Sequence, residues 1–349
     1  SEAAVEFHLE GEQPVEQFWL PFELLADVEG RKESPVQIQV DDGGVLASWR
    51  DGSVPQMVRH TLVEPPEEIE FPKLPTHAAE NPASLLKSLH DAMETTDPEA
   101  IRYANNCDQL RGETGEIVAT DGRQLLVQNG FTFPWDDEVL VPRTKVFGCR
   151  ELPQDEPLRI GKDDKWIAFG IGAWRIFRLM NTEGRFPKVT PHIPRSEDTN
   201  SSLQVSAVDA EFLRRSLPRL PADDELNLPV TVDLNGQAAL RAKAEDQTKP
   251  TELVLANSTL SGEPMRVNMN RQYLARALAL GFHEVYLSSP KTPVLCRDGH
   301  RQYVWALLAP ESALPPTENA IRIESGNVPE DSQLSGPKPR TRKVAMPQA

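Results

Sequence analysis

Cysteine is scarce, with three in 349 residues (Cys107, Cys149, Cys296), and their separations match no metal-ligand spacing. A disulfide scaffold is thereby excluded, and reduced thiols in a cytoplasmic setting are expected. The seven histidines (His8, His60, His77, His90, His192, His283, His300) form no His-x-x-x-His pair and have no neighbouring cysteine pair, so no metal or other cofactor is expected. No apolar run approaches the roughly eighteen residues of a membrane helix, and no basic-then-apolar leader opens the chain. A Walker-type Gly-Lys-Ser/Thr is missing, and Gly170-Ile-Gly172 lacks the third glycine of a dinucleotide fingerprint. Aromatics are only 6%. Basic residues are outnumbered, 37 against 53 acidic, and the net charge of -16 argues against a uniformly basic nucleic-acid binder.

Proline is abundant, at 31 residues. It removes a ladder donor and collects at turns and strand ends, so many short strands are expected rather than long helices. The first readable unit runs from the alternating Val5, Phe7 and Leu9 through an amphipathic stretch at 22–28 to Val36, Ile38 and Val40. Asp42-Gly43-Gly44 then turns the chain into Val45. This is a βαββ unit. Helix-anchoring apolar residues recur at Leu24, Leu85, Phe147, Phe212 and Tyr273, a period of about sixty residues that implies five duplicated units. Proline again opens a strand after the helix position at Pro35, Pro157 and Pro229. The expected fold class is α+β, with antiparallel sheets outside and helices inside. Proline clusters at 64–75 and a polar stretch at 194–202 divide the chain into a partial, half-sized domain (1–75), a second (76–196) and a third (197–311). Residues 312–349 carry few large apolar groups and read as a disordered tail.

Catalytic signatures are weak. Ser84-Leu-Leu-Lys87 matches the Ser-x-x-Lys of serine acyl enzymes, but no Ser-Asp-Asn or Lys-Thr-Gly accompanies it. Charge is more informative: around the last three helix positions, Arg143, Lys145, Arg150, Arg214, Arg215, Arg219, Arg271 and Arg276 face only Glu151, Asp209 and Glu211. A basic surface of this kind would follow a phosphate backbone without reading bases. Solvated helix faces are the plainer alternative. Between them sits 115–126, an apolar strand, the Thr120-Asp121-Gly122 turn and a second apolar strand, which reads as a hairpin.

Together these stretches resemble the bacterial DNA polymerase III β subunit, the sliding-clamp family. Ala119-Thr-Asp-Gly-Arg-Gln-Leu125 is similar to its Ala-Thr-Asp-Gly-His-Arg-Leu hairpin. The segment 184–194 resembles its Gly-Arg/Lys-Phe-Pro segment, and Asn270-Arg-Gln-Tyr-Leu274 its Asn-x-x-Tyr-Leu helix start. The segments 71–75 and 305–310 resemble, respectively, the exit from its first domain and its last strand. The resemblance implies a DNA-clamp fold of repeated βαβββ units that closes head to tail as a homodimer around duplex DNA, without sequence preference. It implies no active site, a clamp loader as partner, and a cleft for short Gln-, Leu- and Phe-bearing peptides of DNA polymerase and other proteins. Carried over by motif, that cleft uses Thr120, Gly122, Arg123, Gln124, Leu125, Pro187, Asn270, Tyr273, Leu307, Leu308 and Pro310, with Lys145, Arg150, Arg214, Arg215, Arg219, Arg271 and Arg276 facing DNA. The family has six units where five are counted here, so the first half of the first domain is expected to be absent. A clamp-like interaction scaffold that never encircles DNA is the alternative.

Overall fold

The computed structural model describes residues 2–9, 11, 19–29, 34–41, 43–63, 71–100 and 104–326. Two compact units divide them: residues 6–73, and residues 74 onward together with the first five.

In the first of these, helix α1 (Phe22–Val28) packs on a three-stranded antiparallel sheet of Gln37–Asp41, Gly44–Asp51 and Val54–His60. Its fully buried apolar side chains are Leu24, Val45 and Ala47. Gly44 is required where the hairpin meets the third strand, because a Cβ there would stand 2.2 Å from the His60 carbonyl oxygen. Ile38 and Val40 alternate as expected, yet both remain about two-fifths exposed.

The larger unit holds helices α2 (Ser84–Met93), α3 (Ala207–Ser216) and α4 (Arg271–Ala279). Leucines 85, 86 and 89 with Ala92 and Met93 bury one face of α2 against the strands Cys107–Arg111 and Glu116–Thr120. The third repeat position holds no α-helix. Between Pro142 and Pro153, where β-branched Thr144 and Val146 meet Gly148, the chain makes only the 3-10 turn Val146–Gly148. Phe147 is nevertheless buried there, edge-on to Phe169 at 4.9 Å, so the apolar period survives although the helix does not. In α3 and α4 the fully buried anchors are Leu213 and Leu274, one residue beyond the half-buried Phe212 and Tyr273.

The mixed α+β fold exchanges strands between its duplicated halves. Within residues 76–196, Ala78–Asn81 pairs with Leu158–Lys162 from the second half, while Glu138–Pro142 pairs back with Cys107–Arg111. Residues 197–311 repeat the exchange: Ser201–Gln204 joins Glu284–Leu287, and Arg266–Asn270 joins Pro229–Asp233. Each half therefore completes the other's sheet. Arg301–Trp305 then pairs antiparallel with Gln124–Gln128, joining strands of these two segments into one nine-stranded sheet.

The tail departs from expectation. Pro310–Ser312 forms a 3-10 turn, and Ile321–Glu324 adds as a fifth strand to the sheet of Arg266–Asn270, Pro229–Asp233, Ala239–Ala242 and Thr251–Val254. Disorder from residue 312 is thus corrected over 312–326, where backbone pairing supplies the order that apolar composition could not; the rest of that segment, 327–349, lies outside the described residues.

Candidate peptide-binding cleft

The hairpin Glu116–Thr120/Gln124–Gln128 turns through Asp121, Gly122 and Arg123, a three-residue loop with Gly122 at φ +90°. Side chains hold it in shape. Thr120 Oγ1 donates to the Gln124 carbonyl at 2.6 Å and accepts from Gly122 N–H at 3.0 Å. The Asp121 carboxylate accepts from the backbone N–H of Arg123 (2.7 Å) and Gln124 (2.8 Å) and from Gln124 Nε2 (2.9 Å). On the other side, Ala306 N–H donates to the Arg123 carbonyl at 2.9 Å, and the buried Tyr303 hydroxyl donates to Gln124 Oε1.

A cavity of about 300 Å³ opens beside this loop. Thr120, Gly122, Arg123, Gln124 and Leu125 form one wall. Pro187, Lys188, Val189 and His192 form another, and Val304, Trp305 and Ala306, with Asn105 and Pro293, complete it. Leu125, Val189 and Val304 also belong to one small apolar cluster, so the floor is dry while Arg123, Lys188 and His192 stand above it. This is the usual composition of a ligand cleft: an apolar floor with a few polar groups that orient.

Six of the eleven residues named from sequence therefore meet in one cavity. The other five do not line it. Asn270 is buried and caps α4, accepting from Gln272 N–H at 2.8 Å, so its side chain is already engaged. Leu307 bridges to Met269, Leu308 N–H donates to the Asn268 carbonyl at 2.8 Å, and Pro310 opens a 3-10 turn. Tyr273 stands near Arg123 and Asp121; burial, then the Asp121 charge, push its phenol pKa up against the opposing pull of Arg123. Lys188, Val189, His192 and Trp305 lay inside sequence stretches already singled out, whereas Asn105 and Pro293 reach the cavity only through tertiary pairing.

The expected DNA-facing set is smaller than its charge suggested. Arg271 is only 6% exposed, and its guanidinium donates to the Pro221 carbonyl at 3.1 Å, so it faces no phosphate. Arg276 is also turned inward, donating to the Asp91 carbonyl (2.7 Å) and Thr95 Oγ1 (2.8 Å) at the end of α2. Arg143, counted in the basic excess, caps the same helix end through Met93 and Thr96 and pairs with Glu94 at 3.1 Å. Lys145, Arg150, Arg214, Arg215 and Arg219 are exposed, with Arg150 paired to Glu151 and both Arg214 and Arg215 to Glu211. At Ser84, Lys87 is ion-paired with Asp91, and no hydrogen bond joins it to the serine, so the pair carries no acyl-enzyme geometry. Among the described residues no cluster of His, Cys, Asp and Glu could hold a metal ion, and no helix is long and apolar enough to cross a membrane.

No protein-family model and no curated protein matches this chain. Solved structures do. A DNA polymerase sliding clamp from Bacillus subtilis superposes with a TM-score of 0.70 at 16% identity, covering 88% of this chain and 86% of that one. A putative DNA polymerase III β subunit from Eubacterium rectale gives 0.69 at 15%, over 88% and 85%, and the β subunit from Pseudomonas aeruginosa 0.62 at 19%, over 83% and 82%. The fold is that of the sliding clamps.

Proposed function

We propose that this chain is a non-catalytic, clamp-like protein that tethers DNA polymerase and other replication or repair proteins through the cleft beside the Asp121–Arg123 loop. The observation that carries this reading is the convergence of that loop, the Pro187 segment and the Trp305 strand end on one apolar cavity. A short peptide with Gln, Leu and Phe anchors is the ligand class, the two apolar side chains entering the floor and the amide meeting Arg123 or His192. Such contacts supply about 8 kcal/mol, an affinity on the order of micromolar. Calorimetry with such a peptide tests it. Ala306→Trp, which fills the cavity from an exposed position, is expected to weaken binding at least tenfold, and Tyr273→Ala together with Leu308→Ala to weaken it less. No binding to the intact chain removes the cleft from the account.

In the fuller form of this reading the chain is a cytoplasmic processivity factor, placed by a clamp loader and closed as a homodimer around duplex DNA. Exposed Lys145 and Arg219 are its phosphate contacts, independent of sequence and weakened by salt. Retention on circular duplex DNA should then fall with Lys145→Glu plus Arg219→Glu. Unchanged retention would leave the second reading, a scaffold that binds partners without encircling DNA, which the inward turn of Arg271 and Arg276 favours.

A further inference from the structure

The cleft beside the Asp121–Arg123 loop carries a charge pattern that its apolar floor does not require. Of the fourteen residues that line it, Arg123, Lys188 and His192 are basic and none is acidic, in a chain with 53 acidic residues against 37 basic. All three side chains are exposed, and among the described residues none of them makes an ion pair. Several exposed arginines elsewhere are neutralised: Arg59 by Asp41, Arg150 by Glu151, Arg195 by Glu197, and Arg214 and Arg215 by Glu211. Carboxylates of the neighbouring loops are engaged otherwise. Asp121 accepts from Arg123 N–H, Gln124 N–H and Gln124 Nε2, and Asp224, which feels the Arg123 charge, accepts from Leu226 N–H, Asn227 N–H and the Asn227 amide. The cations are also held in place. Lys188 and His192 flank Val189, which packs in the apolar cluster of the floor, and His192 N–H donates to the Val189 carbonyl at 2.9 Å in the 3-10 turn Thr190–His192. Arg123 stands on the other wall, its carbonyl accepting from Ala306 N–H. A ligand seated on Leu125, Val189 and Val304 therefore meets basic side chains from both walls.

We propose that the partner selected by this cleft is an acidic peptide: an extended segment whose apolar anchors fill the floor and whose adjoining aspartate or glutamate side chains pair with Arg123 and Lys188 and accept from His192 N–H. The inference rests on the peptide-cleft reading above and adds to it which sequences are chosen. An apolar floor accepts any apolar anchor of the right size, so discrimination has to come from the groups around it. Basic side chains on both walls steer an acidic segment in and reject a basic one. Each exposed ion pair contributes little alone, and two or three acting on one seated ligand amount to about tenfold in affinity. The same cations would attract a phosphate backbone, but that has no apolar side chain to bury on Leu125, Val189 and Val304.

Calorimetry on the full chain with three peptides tests the proposal. All share the Gln, Leu and Phe anchors, and they differ only at two positions adjoining the Leu and Phe, which hold Asp, Asn or Lys. The Asp peptide is expected to bind about tenfold more tightly than the Asn peptide at low salt, with the gap closing as salt rises. Lys188→Glu should abolish that gap and raise affinity for the Lys peptide, while binding of the Asn peptide, which reports an intact floor, stays within about threefold. Equal binding of the Asp and Asn peptides to the wild-type chain overturns the charge selection and leaves the cleft standing. No binding of any of the three overturns the cleft reading itself, and the selection with it. A single-stranded oligonucleotide that displaces the Asn peptide as well as the Asp peptide does would assign the cations to nucleic acid, and also overturns the proposal.

Discussion

Asp108 is the residue most at odds with its surroundings. It is fully buried on Cys107–Arg111, the strand next to the nine-stranded sheet's edge, and neither carboxylate oxygen has a hydrogen-bond partner. Burial pushes its pKa well above the ordinary carboxylate value, with the Arg143 charge pulling weakly the other way. Above about pH 4 the folded state therefore holds more protons than the unfolded one, so this group's contribution to stability falls as pH rises toward its elevated folded pKa. Asp108→Asn should flatten that slope and raise stability at pH 8 by about 1–3 kcal/mol, which denaturant melts at pH 5 and pH 8 would show. Asp121 is the opposite case, a carboxylate with three donors in a solvent-facing turn; Asp121→Ala should cost about 1–2 kcal/mol by the same measurement. The Asp121 turn was legible from its neighbours in sequence. Asp108 was not, because its environment is made by strands that arrive from elsewhere.

Among the elements, strands and the four α-helices were readable from period and punctuation, since alternation and capping residues act within a few positions. The helix expected around Phe147 was not, because an apolar anchor marks burial and says nothing of the turns needed to build a helix around it. Strand exchange was equally hidden, as no local pattern tells Ala78–Asn81 to leave its own hairpins for Leu158–Lys162. Arg276 shows how charge misleads at this scale. Counted as a surface cation, it instead ties α4 to the last turn of α2, where helix carbonyls point outward and accept from side chains. Arg276→Met should lower stability by about 1–3 kcal/mol and speed amide exchange at 91–96, with no effect on DNA retention at any salt concentration.

For the whole molecule, the two units differ greatly in core. Residues 6–73 rest on Leu24, Val45 and Ala47, whereas the larger unit buries two extensive clusters around α2 and around α3 with α4. Calorimetry should accordingly resolve two transitions, the smaller unit melting first, and Leu24→Ala should shift that one alone by the equivalent of about 2–5 kcal/mol. A single transition moved as a whole by this substitution would contradict the division.

The nine-stranded sheet gives the cleft a mechanical setting. Gln124 and Trp305, register partners of the central strand pair, stand at the cleft, and their strands run away from it side by side. Tension applied there along the strand direction loads the ladder bonds between these two strands at once, in shear, instead of peeling them one after another. A junction of this geometry yields at high force and all together.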